Sequence, residues 1–264
     1  MAEILIPRPA ATVLTLRDGV EGYEILMLQR NLNSDFVGGA YVFPGGGVDA
    51  NDAGPEAQSL AIGLDDEQAS RRLGLASGGL AYYVACLREL FEEAGLLVAS
   101  DASGERFHSE DEDLRVRMAQ YRRAVNAGSL RFIDMLEIEG LRLDFRGLEY
   151  VAHWVTPVGP PRRYDTRFFV AIAPTGQIAA HDASETVADK WVRPIEALAQ
   201  YERGELEMIL PTIRNLQAIA HFSSAGEVLA YAKDQASIPR IEPRITTREG
   251  EVRIVLPGDV GYEE

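Results

Sequence analysis

The chain has 264 residues and a formal net charge of −15 at pH 7, with 46% hydrophobic and 25% charged residues. This composition is that of a globular protein with a sizeable core, and the length predicts one large domain with elaborations. The acidic balance argues against bulk nucleic acid as a partner, because duplex binding requires a basic stripe. The sequence also contains no apolar run near the ~20 residues that a membrane-spanning helix requires.

Cysteine usage and the chain ends predict a compartment. A single cysteine, Cys86, rules out a disulfide framework and fits a reducing environment. The N-terminus lacks the charged start and long apolar segment of a signal peptide, and the C-terminus carries no peroxisomal address. We therefore expect a cytoplasmic protein in which Cys86 is a small buried residue rather than a nucleophile.

The first half of the chain predicts strands followed by one long helix. Alternating apolar and polar residues over 10–17 and 23–29 indicate a hairpin, and residues 40–43 form a short strand before a glycine-rich turn. Residues 65–73 predict a short helix. Residues 80–94 predict an amphipathic helix that ends at Gly95, and we expect a strand over 96–99.

The second half predicts mixed helices and strands. The predicted helices span 110–125, 129–136, 194–203, 211–222 and 227–233, and the predicted strands span 149–156 and 166–173. From residue 238 the sequence becomes β-like, with segments at 245–247 and 251–256. These segments predict either a terminal hairpin or an arm that reaches a second subunit, so a homodimer stays open.

Three carboxylates share one face of the helix predicted over 80–94. Glu89, Glu92 and Glu93 are spaced i, i+3 and i+4, which places them inside an arc of roughly 100°. The opposite face is apolar, so the helix can bury one side and present carboxylates on the other. Like charges at this spacing repel unless a cation neutralises them, and a hard divalent ion takes oxygen ligands. The alternative is a solvated acidic face.

A glycine-rich turn upstream completes a known pattern. Gly46 is followed after five residues by Asp52, and the segment from Arg88 to Leu96 reads Arg-Glu-Leu-Phe-Glu-Glu-Ala-Gly-Leu. Together the two parts resemble the Nudix box. Asp52 stands where most of that superfamily has Glu, and 35 residues separate Asp52 from Arg88 instead of seven. A box split in this way resembles the branch that contains the peroxisomal coenzyme A diphosphatases and their bacterial relatives.

The resemblance implies an α/β fold, the Nudix α/β/α sandwich with a mixed sheet. It predicts a Nudix domain over residues 1–237, with an insertion at about 53–80 inside the box. Helical elaborations are expected at about 108–137 and 194–233, and residues 238–264 form a C-terminal β-like extension. The insertion is long enough to form a wall against one arm of a substrate.

The resemblance also implies hydrolysis of a nucleoside diphosphate linked to another group, with Mg²⁺ or Mn²⁺ as cofactor. The metal ligands would be Glu89, Glu92 and Glu93, with a backbone carbonyl of Gly45 or Gly46. Metals held there would neutralise the diphosphate, orient the bridge and lower the pKa of a bound water. The candidate catalytic residues are Glu92, Arg88, which would orient Glu92, and a late glutamate, Glu185.

Further candidate residues lie outside the box. Arg30 follows a predicted strand, where Nudix relatives often keep an arginine near the phosphates, although a solvated strand edge is the alternative. Arg162 and Arg163 follow two prolines in a loop that could bind phosphates through paired donors, or could simply be a surface loop. Glu185 precedes Trp191 by six residues, and many Nudix enzymes have a late glutamate at this spacing before a tryptophan, where it ligates a metal or acts as base. His181 and Asp182 are second choices for that role, and His153 is expected to be a packed histidine rather than a ligand.

Three functions stay open at this point. The first is a diphosphatase that converts coenzyme A or acyl-coenzyme A to 3′,5′-ADP and 4′-phosphopantetheine or its acyl form. The second is a diphosphatase for another small nucleotide, such as ADP-ribose, a dinucleotide or a nucleotide sugar. The third is a non-catalytic Nudix binding module, which the intact glutamate pattern disfavours.

Overall fold

The structure is a computed structural model that describes residues 5–32, 38–108, 111–248 and 251–262. Its strands are β1 (Arg8–Gly19), β2 (Gly22–Arg30), β3 (Tyr41–Val42), β4 (Gly45–Gly47), β5 (Ala61–Ile62), β6 (Ala99–Ser100), β7 (Arg142–Asp144), β8 (Leu148–Val155), β9 (Tyr164–Ile172), β10 (Thr186–Val192), β11 (Arg240–Ile241), β12 (Arg244–Arg248) and β13 (Glu251–Val255). Its helices are α1 (Pro55–Ser59), α2 (Asp66–Leu73), α3 (Leu80–Ala94), α4 (Glu112–Asn126), α5 (Phe132–Ile138), α6 (Pro194–Glu202), α7 (Leu210–Ile219) and α8 (Ala225–Lys233), with a 3₁₀ turn at Ala50–Ala53.

The central sheet is mixed, as the resemblance implied. Its strands run in the order β10-β2-β1-β9-β8-β11, while β3 pairs with β2 and β4 with β1. The β1–β9 and β8–β11 pairs are parallel, and the other pairs of this sheet are antiparallel. The short strands β5, β7 and β6 form a second sheet, and β12 and β13 form a separate hairpin.

Both faces of the central sheet are buried. On β2, Leu26 and Leu28 belong to the core under α3, whereas Ile25 and Met27 belong to the core under α6, α7 and α8. Successive side chains of a strand point to opposite faces, so a nearly continuous apolar strand serves two layers of helices. This arrangement confirms the predicted α/β class and the α/β/α layering.

The insertion inside the box packs against the motif helix α3. It folds into α1, β5 and α2, and its buried residues Ala57, Leu64 and Leu73 join the core of α3. A Cβ built on Gly79 would lie 2.3 Å from the backbone N of Ser70, so the glycine lets α2 approach the start of α3. The insertion therefore supports the helix that carries the glutamates.

Several predicted elements differ from the observed ones. The strand expected over 96–99 is reduced to β6, because Leu97 pairs with a side chain instead of a strand. Its N–H donates to Oε1 of Gln177 at 2.8 Å, and its carbonyl accepts from Nε2 at 2.9 Å. Strands β4, β5, β7, β10 and β11 were not predicted, because they are very short or contain polar residues. The expected helix start at residue 110 lies outside the described residues.

The C-terminal segment contributes both to the sheet and to a hairpin. Strand β11 pairs with His153 and Trp154 of β8 at the edge of the central sheet, and the hairpin follows. His153 is buried and lies 2.7 Å from Oδ1 of Asp165, which agrees with its expected packed role. Cys86 is buried with a free thiol, as expected. Within the described residues, no helix has the length and apolar character needed to cross a bilayer.

A buried carboxylate in the second sheet gives a test of the fold. Asp144 accepts hydrogen bonds from Ser100 Oγ at 2.7 Å and from Nε of Arg146 at 2.8 Å, with its own side chain 1% exposed. Burial raises its pKa, but these hydrogen bonds outweigh burial and lower it overall. Because the folded-state pKa is lowered, this stabilisation is present above the unfolded pKa and is lost as the pH falls through the folded value.

We expect Asp144→Ala to lower the free energy of unfolding at pH 7 by about 2 kcal/mol, since it removes charge-assisted hydrogen bonds at a buried site. Urea denaturation monitored by circular dichroism measures this change. The matched control is Asp134→Ala, which breaks an arginine–aspartate pair on the surface and should change stability little. Equal losses in the two variants would contradict the structural role of Asp144.

Candidate active site

The glycine-rich strand β4 brings backbone close to the motif helix. A Cβ built on Gly46 would lie 2.5 Å from Oε1 of Glu89, and one on Gly45 would lie 2.5 Å from the carbonyl oxygen of Ala11. A side chain at position 46 would therefore displace Glu89, and one at position 45 would displace β4 from β1. The Gly45 N–H donates to Oε2 of Glu93 at 2.9 Å. Glycine at both positions lets the carboxylates of α3 contact the turn directly.

Arg88 is the centre of a network that joins the two halves of the box. Its Nε and Nη2 donate to the two carboxylate oxygens of Asp52 at 2.9 and 3.0 Å. Its Nη1 donates to Glu89 at 2.8 Å and to Glu92 at 3.0 Å. Its Nη2 also donates to the carbonyl of Gly47 at 2.8 Å. One guanidinium thus holds the turn, the acid that ends the first half and two glutamates of the second half.

Asp52 remains part of the site in spite of the insertion that follows it. Its side chain is 2% exposed and pairs with both Arg88 donors. Its other contact is with the Asp49 backbone N–H, which donates to Oδ2 at 2.7 Å and closes a capping box on the 3₁₀ turn. The contribution of this residue, which the sequence left open, is therefore to fix Arg88.

The glutamates of α3 are crowded and partly removed from water. Their side chains are 13% exposed for Glu89 and 21% for Glu92, and Glu93 is buried. Burial, together with repulsion from Glu92 and Glu185, raises the pKa of Glu89 to about 7 despite the attraction of Arg88. Burial also raises the pKa of Glu92 and of Glu93. A cation is therefore favoured beside these carboxylates.

This donor set fits a hard divalent cation. Oxygen ligands from carboxylates are those that Mg²⁺ and Mn²⁺ prefer, and the mutual repulsion of the glutamates is relieved when such an ion binds. Within the part of the chain that the structure describes, no three acidic, histidine or cysteine side chains are already arranged as a metal cage. Glu89 and Glu92 each pair with Arg88.

A cavity of about 1080 Å³ lies beside the glutamates. It brings together most of the predicted site residues, namely Arg30, Gly45, Gly46, Glu89, Glu92, Arg162 and Glu185. The Nε of Arg30 is buried and has no hydrogen-bond partner within the described residues, which suits an anion acceptor at this position. Glu93, the other glutamate predicted as a metal ligand, is buried outside the described lining and accepts from the N–H of Gly45, which lines the cavity.

Arg163 was predicted to bind substrate, but it lies outside the cavity and is used in the structure itself. Its side chain is 5% exposed and pairs with the carboxylate of Glu242. Its Nε donates to the carbonyls of Thr156 at 3.0 Å and Pro157 at 3.1 Å, and its Nη1 donates to that of Leu5 at 2.7 Å. The donors of Arg163 therefore link the β8–β9 loop to Leu5 and to Glu242, which precedes β12.

The loop before β10 distinguishes between the late acidic candidates. Asp182 accepts from the backbone N–H groups of Glu185 at 3.0 Å and Thr186 at 2.9 Å, and also from the Thr186 hydroxyl at 2.7 Å. Burial raises its pKa, but the hydrogen bonds dominate and lower it to about 2. Nδ1 of His181 lies 2.7 Å from Oδ1 of Asp189. Asp182 and His181 thus organise the loop, while the exposed Glu185 lines the cavity.

Two residues that sequence reasoning missed hold the end of α3. The backbone carbonyl of Glu92 accepts from Nε of Arg122 at 2.8 Å and from Nδ2 of Asn126 at 3.1 Å, both on α4. Carbonyls in the last turn of a helix lack intrahelical partners, and a cation at that end also interacts favourably with the helix dipole. The sequence indicates that such partners are needed, but it does not indicate that they come from 30 residues away.

The raised pKa of Glu89 gives a test of the cation site. The ordinary pKa is 4.5 and the folded value is about 7, so between these values the folded metal-free protein binds more protons than the unfolded chain. Its free energy of unfolding therefore decreases as the pH rises through that window. A divalent ion binds the charged form and opposes the loss.

We expect Mg²⁺ or Mn²⁺ to raise the melting temperature more at pH 7.5 than at pH 5, by on the order of 5 °C. Differential scanning calorimetry of EDTA-treated protein, with and without the metal, measures this difference. In Glu89→Gln, which cannot ionise at residue 89, the difference between the two pH values should shrink. An identical shift at both pH values in the unmodified protein would contradict the assignment.

Comparison with known proteins adds to this geometry. The family model described as the NUDT19 Nudix domain matches residues 54–219. The acyl-coenzyme A diphosphatase NUDT19 of Gallus gallus is 30% identical over 92% of this chain and 73% of its own length. The protein of that name from Homo sapiens is 26% identical over 92% of this chain and 73% of its own length.

A solved structure agrees with the family match. The crystal structure of a NUDIX hydrolase from Alicyclobacillus acidocaldarius superposes with a TM-score of 0.66 at 27% identity, covering 85% of this chain and 96% of that one. The fold is thus shared with a protein named as a NUDIX hydrolase. This chain belongs to the NUDT19 Nudix domain family and is a Nudix hydrolase.

Proposed function

We propose that the enzyme hydrolyses the diphosphate bridge of coenzyme A and acyl-coenzyme A, using Mg²⁺ or Mn²⁺. The products would be 3′,5′-ADP and 4′-phosphopantetheine or its acyl form. The observation that carries the proposal is the 1080 Å³ cavity, which places the glutamate cluster, two arginines and an aliphatic surface in one space. Relatives that align over 92–94% of this chain are named acyl-coenzyme A diphosphatase, which supports this substrate class.

The cavity suits a large ligand with two kinds of surface. Pockets of about 300–1,000 Å³ bind drug-sized molecules, and this cavity exceeds the upper end of that range. Arg30 and Arg162 line it and supply the planar donors that phosphate groups accept. Coenzyme A carries a 3′-phosphate beyond its diphosphate, and Arg162 is the candidate partner for one of these groups.

Each site residue has a separate role in the proposed reaction. Glu89, Glu92 and Glu93 would hold the divalent ion, which when bound neutralises the diphosphate and lowers the pKa of the attacking water. Arg88 restrains Glu89 and Glu92 through its hydrogen bonds. Glu185 would accept a proton from that water, whose oxygen enters one phosphate as the bridge to the other breaks. No covalent intermediate is needed.

The role expected for the insertion is corrected by the structure. Sequence analysis suggested that it forms a wall against one arm of the substrate. The described cavity lining includes no residue from 53–79, and the insertion packs against α3 instead. Residues of α7 and of the C-terminal hairpin, which lie much later in the chain, line the cavity.

Compartment and assembly stay predictions. The buried free thiol of Cys86 is compatible with a reducing compartment, and we keep the cytoplasm as the proposed location. A homodimer is likewise proposed, and the cofactor is proposed to be Mg²⁺ or Mn²⁺.

The proposed function is tested by a turnover screen with Mg²⁺ or Mn²⁺ over coenzyme A, acyl-coenzyme A, ADP-ribose, dinucleotides and nucleotide sugars. Product masses in ¹⁸O-labelled water show which phosphate receives the solvent oxygen. We expect the highest kcat/KM on coenzyme A compounds and a loss of roughly 10²-fold or more in kcat for Glu92→Gln. A higher kcat/KM on ADP-ribose or a dinucleotide would assign the enzyme to another substrate.

The late loop yields a second activity prediction. Glu185→Gln should lower kcat with little change in KM or melting temperature, because the side chain is exposed and acts on the reacting water. Asp182→Asn, by contrast, should lower both kcat and the melting temperature, because it weakens the hydrogen bonds that shape the loop. Normal kcat in Glu185→Gln, combined with unchanged stability in Asp182→Asn, would reverse these assignments.

A further inference from the structure

One side of the cavity is aliphatic and has no part in the chemistry described above. We call it the apolar wall, and it consists of Ile209, Leu210, Pro243, Ile245 and Ile254. The first two residues are at the start of α7, and the other three belong to the C-terminal segment. Pro243, Ile245 and Ile254 lie beyond residue 219, where the match to the family model ends.

The hairpin presents its isoleucines as a pair. Ile245 of β12 and Ile254 of β13 are directly opposite in the antiparallel ladder, so their side chains share one face. They are 44% and 55% exposed although both line the cavity. Two adjacent branched side chains therefore leave apolar area facing the cavity, and a ligand that covers it would gain free energy in proportion to that area.

The hairpin is fixed in place by contacts on its own ends. Arg163 pairs with the carboxylate of Glu242, just before β12. The Tyr262 hydroxyl donates to the Glu242 carbonyl at 2.8 Å, and the Arg244 guanidinium lies 4.5 Å from the centre of the Tyr262 ring. These contacts hold the residues before and after the hairpin together, so the pair of isoleucines has a defined position beside the cavity.

We propose that the apolar wall binds the acyl-pantetheine arm of the substrate and sets the preference for acyl chain length. The inference rests on the proposed function, since it takes the diphosphate to lie at the glutamate cluster. Two arms leave that diphosphate. The adenosine arm carries a phosphate and ring nitrogens that need hydrogen-bonding partners. The acyl chain at the far end of the acyl-pantetheine arm has only apolar surface area to bury. The apolar wall likewise consists of aliphatic side chains without polar atoms.

The test is a chain-length series with Mg²⁺, from coenzyme A through acetyl-, butanoyl-, hexanoyl- and octanoyl-coenzyme A. In the unmodified enzyme we expect kcat/KM to rise by roughly twofold per added methylene, because the wall covers one side and full burial corresponds to about fourfold. In the double variant Ile245→Thr/Ile254→Thr the rise per methylene should flatten, so that the loss in kcat/KM is smallest for coenzyme A, which has no acyl chain, and largest for octanoyl-coenzyme A. Threonine keeps the β-branched shape that a strand favours.

The control is Val252→Thr, which makes the same type of change on the same hairpin. Val252 is 71% exposed and lies outside the cavity lining, so its variant should keep the chain-length dependence of the unmodified enzyme. Melting temperatures of all variants report on folding. The single variant Ile254→Thr provides the measurement if the double variant is unstable, and it should flatten the series in part.

Inhibition by 3′,5′-ADP separates the two arms of the substrate. This product lacks the pantetheine arm, so its inhibition constant should be the same in the unmodified enzyme and in Ile245→Thr/Ile254→Thr. An increase of fivefold or more would show that the wall binds the adenosine arm and would overturn the inference. A flat chain-length series in the unmodified enzyme would overturn it as well.

Failure of the proposed function gives a different result. In that case no coenzyme A compound is hydrolysed, whatever the state of the hairpin. Isothermal titration calorimetry with Mg²⁺ then measures the dissociation constants of acetyl- and octanoyl-coenzyme A, and their ratio reports binding of the acyl chain at the apolar wall. Tighter binding of the octanoyl compound, lost in Ile245→Thr/Ile254→Thr but kept in Val252→Thr, supports the inference. Equal dissociation constants for the two compounds overturn it.

Discussion

The pairing of Arg88 with Asp52 is the interaction on which the site depends. A guanidinium can donate five hydrogen bonds in fixed directions, and here they reach a turn, an aspartate and two glutamates. Because the aspartate is almost fully buried, removing Arg88 would leave the charge of Asp52 uncompensated in a poorly solvated place. The pair therefore sets the distance between the glycine-rich strand and the motif helix, and with it the position of the carboxylates.

The central sheet explains why these carboxylates face a cavity and not bulk water. Helices cover both of its faces, and β4, which pairs with residues 10–12 of β1, lines the cavity. The glycines of β4 leave room for the glutamates, and the β8–β9 loop, α7 and the C-terminal hairpin surround the remaining space. The glutamates of α3 and the lining residues of α7 thus come from opposite layers of the sandwich.

Local patterns in the sequence predicted much of this arrangement. The motif helix was placed at its observed bounds, because its apolar period and its final glycine are local signals, and the convergence of the box with Glu185 followed from the family pattern. Contacts between residues far apart in the chain could not be predicted from local sequence patterns. Arg163 and Arg162 are adjacent and chemically identical in sequence, yet one is buried and the other lines the cavity. Arg122 and the isoleucine pair carry no signal in their own neighbourhood that points to the site.

The insertion between the halves of the box has a consequence for how the site forms during folding. Lengthening the connection from seven to 35 residues raises the entropic cost of bringing its ends together by about 1.4 kcal/mol, because that cost grows only with the logarithm of length. Burial of a single leucine side chain contributes about as much in the opposite direction, and the insertion buries both Leu64 and Leu73 beside the motif helix. The segment that separates the two halves in sequence thereby offsets the entropy of its own closure.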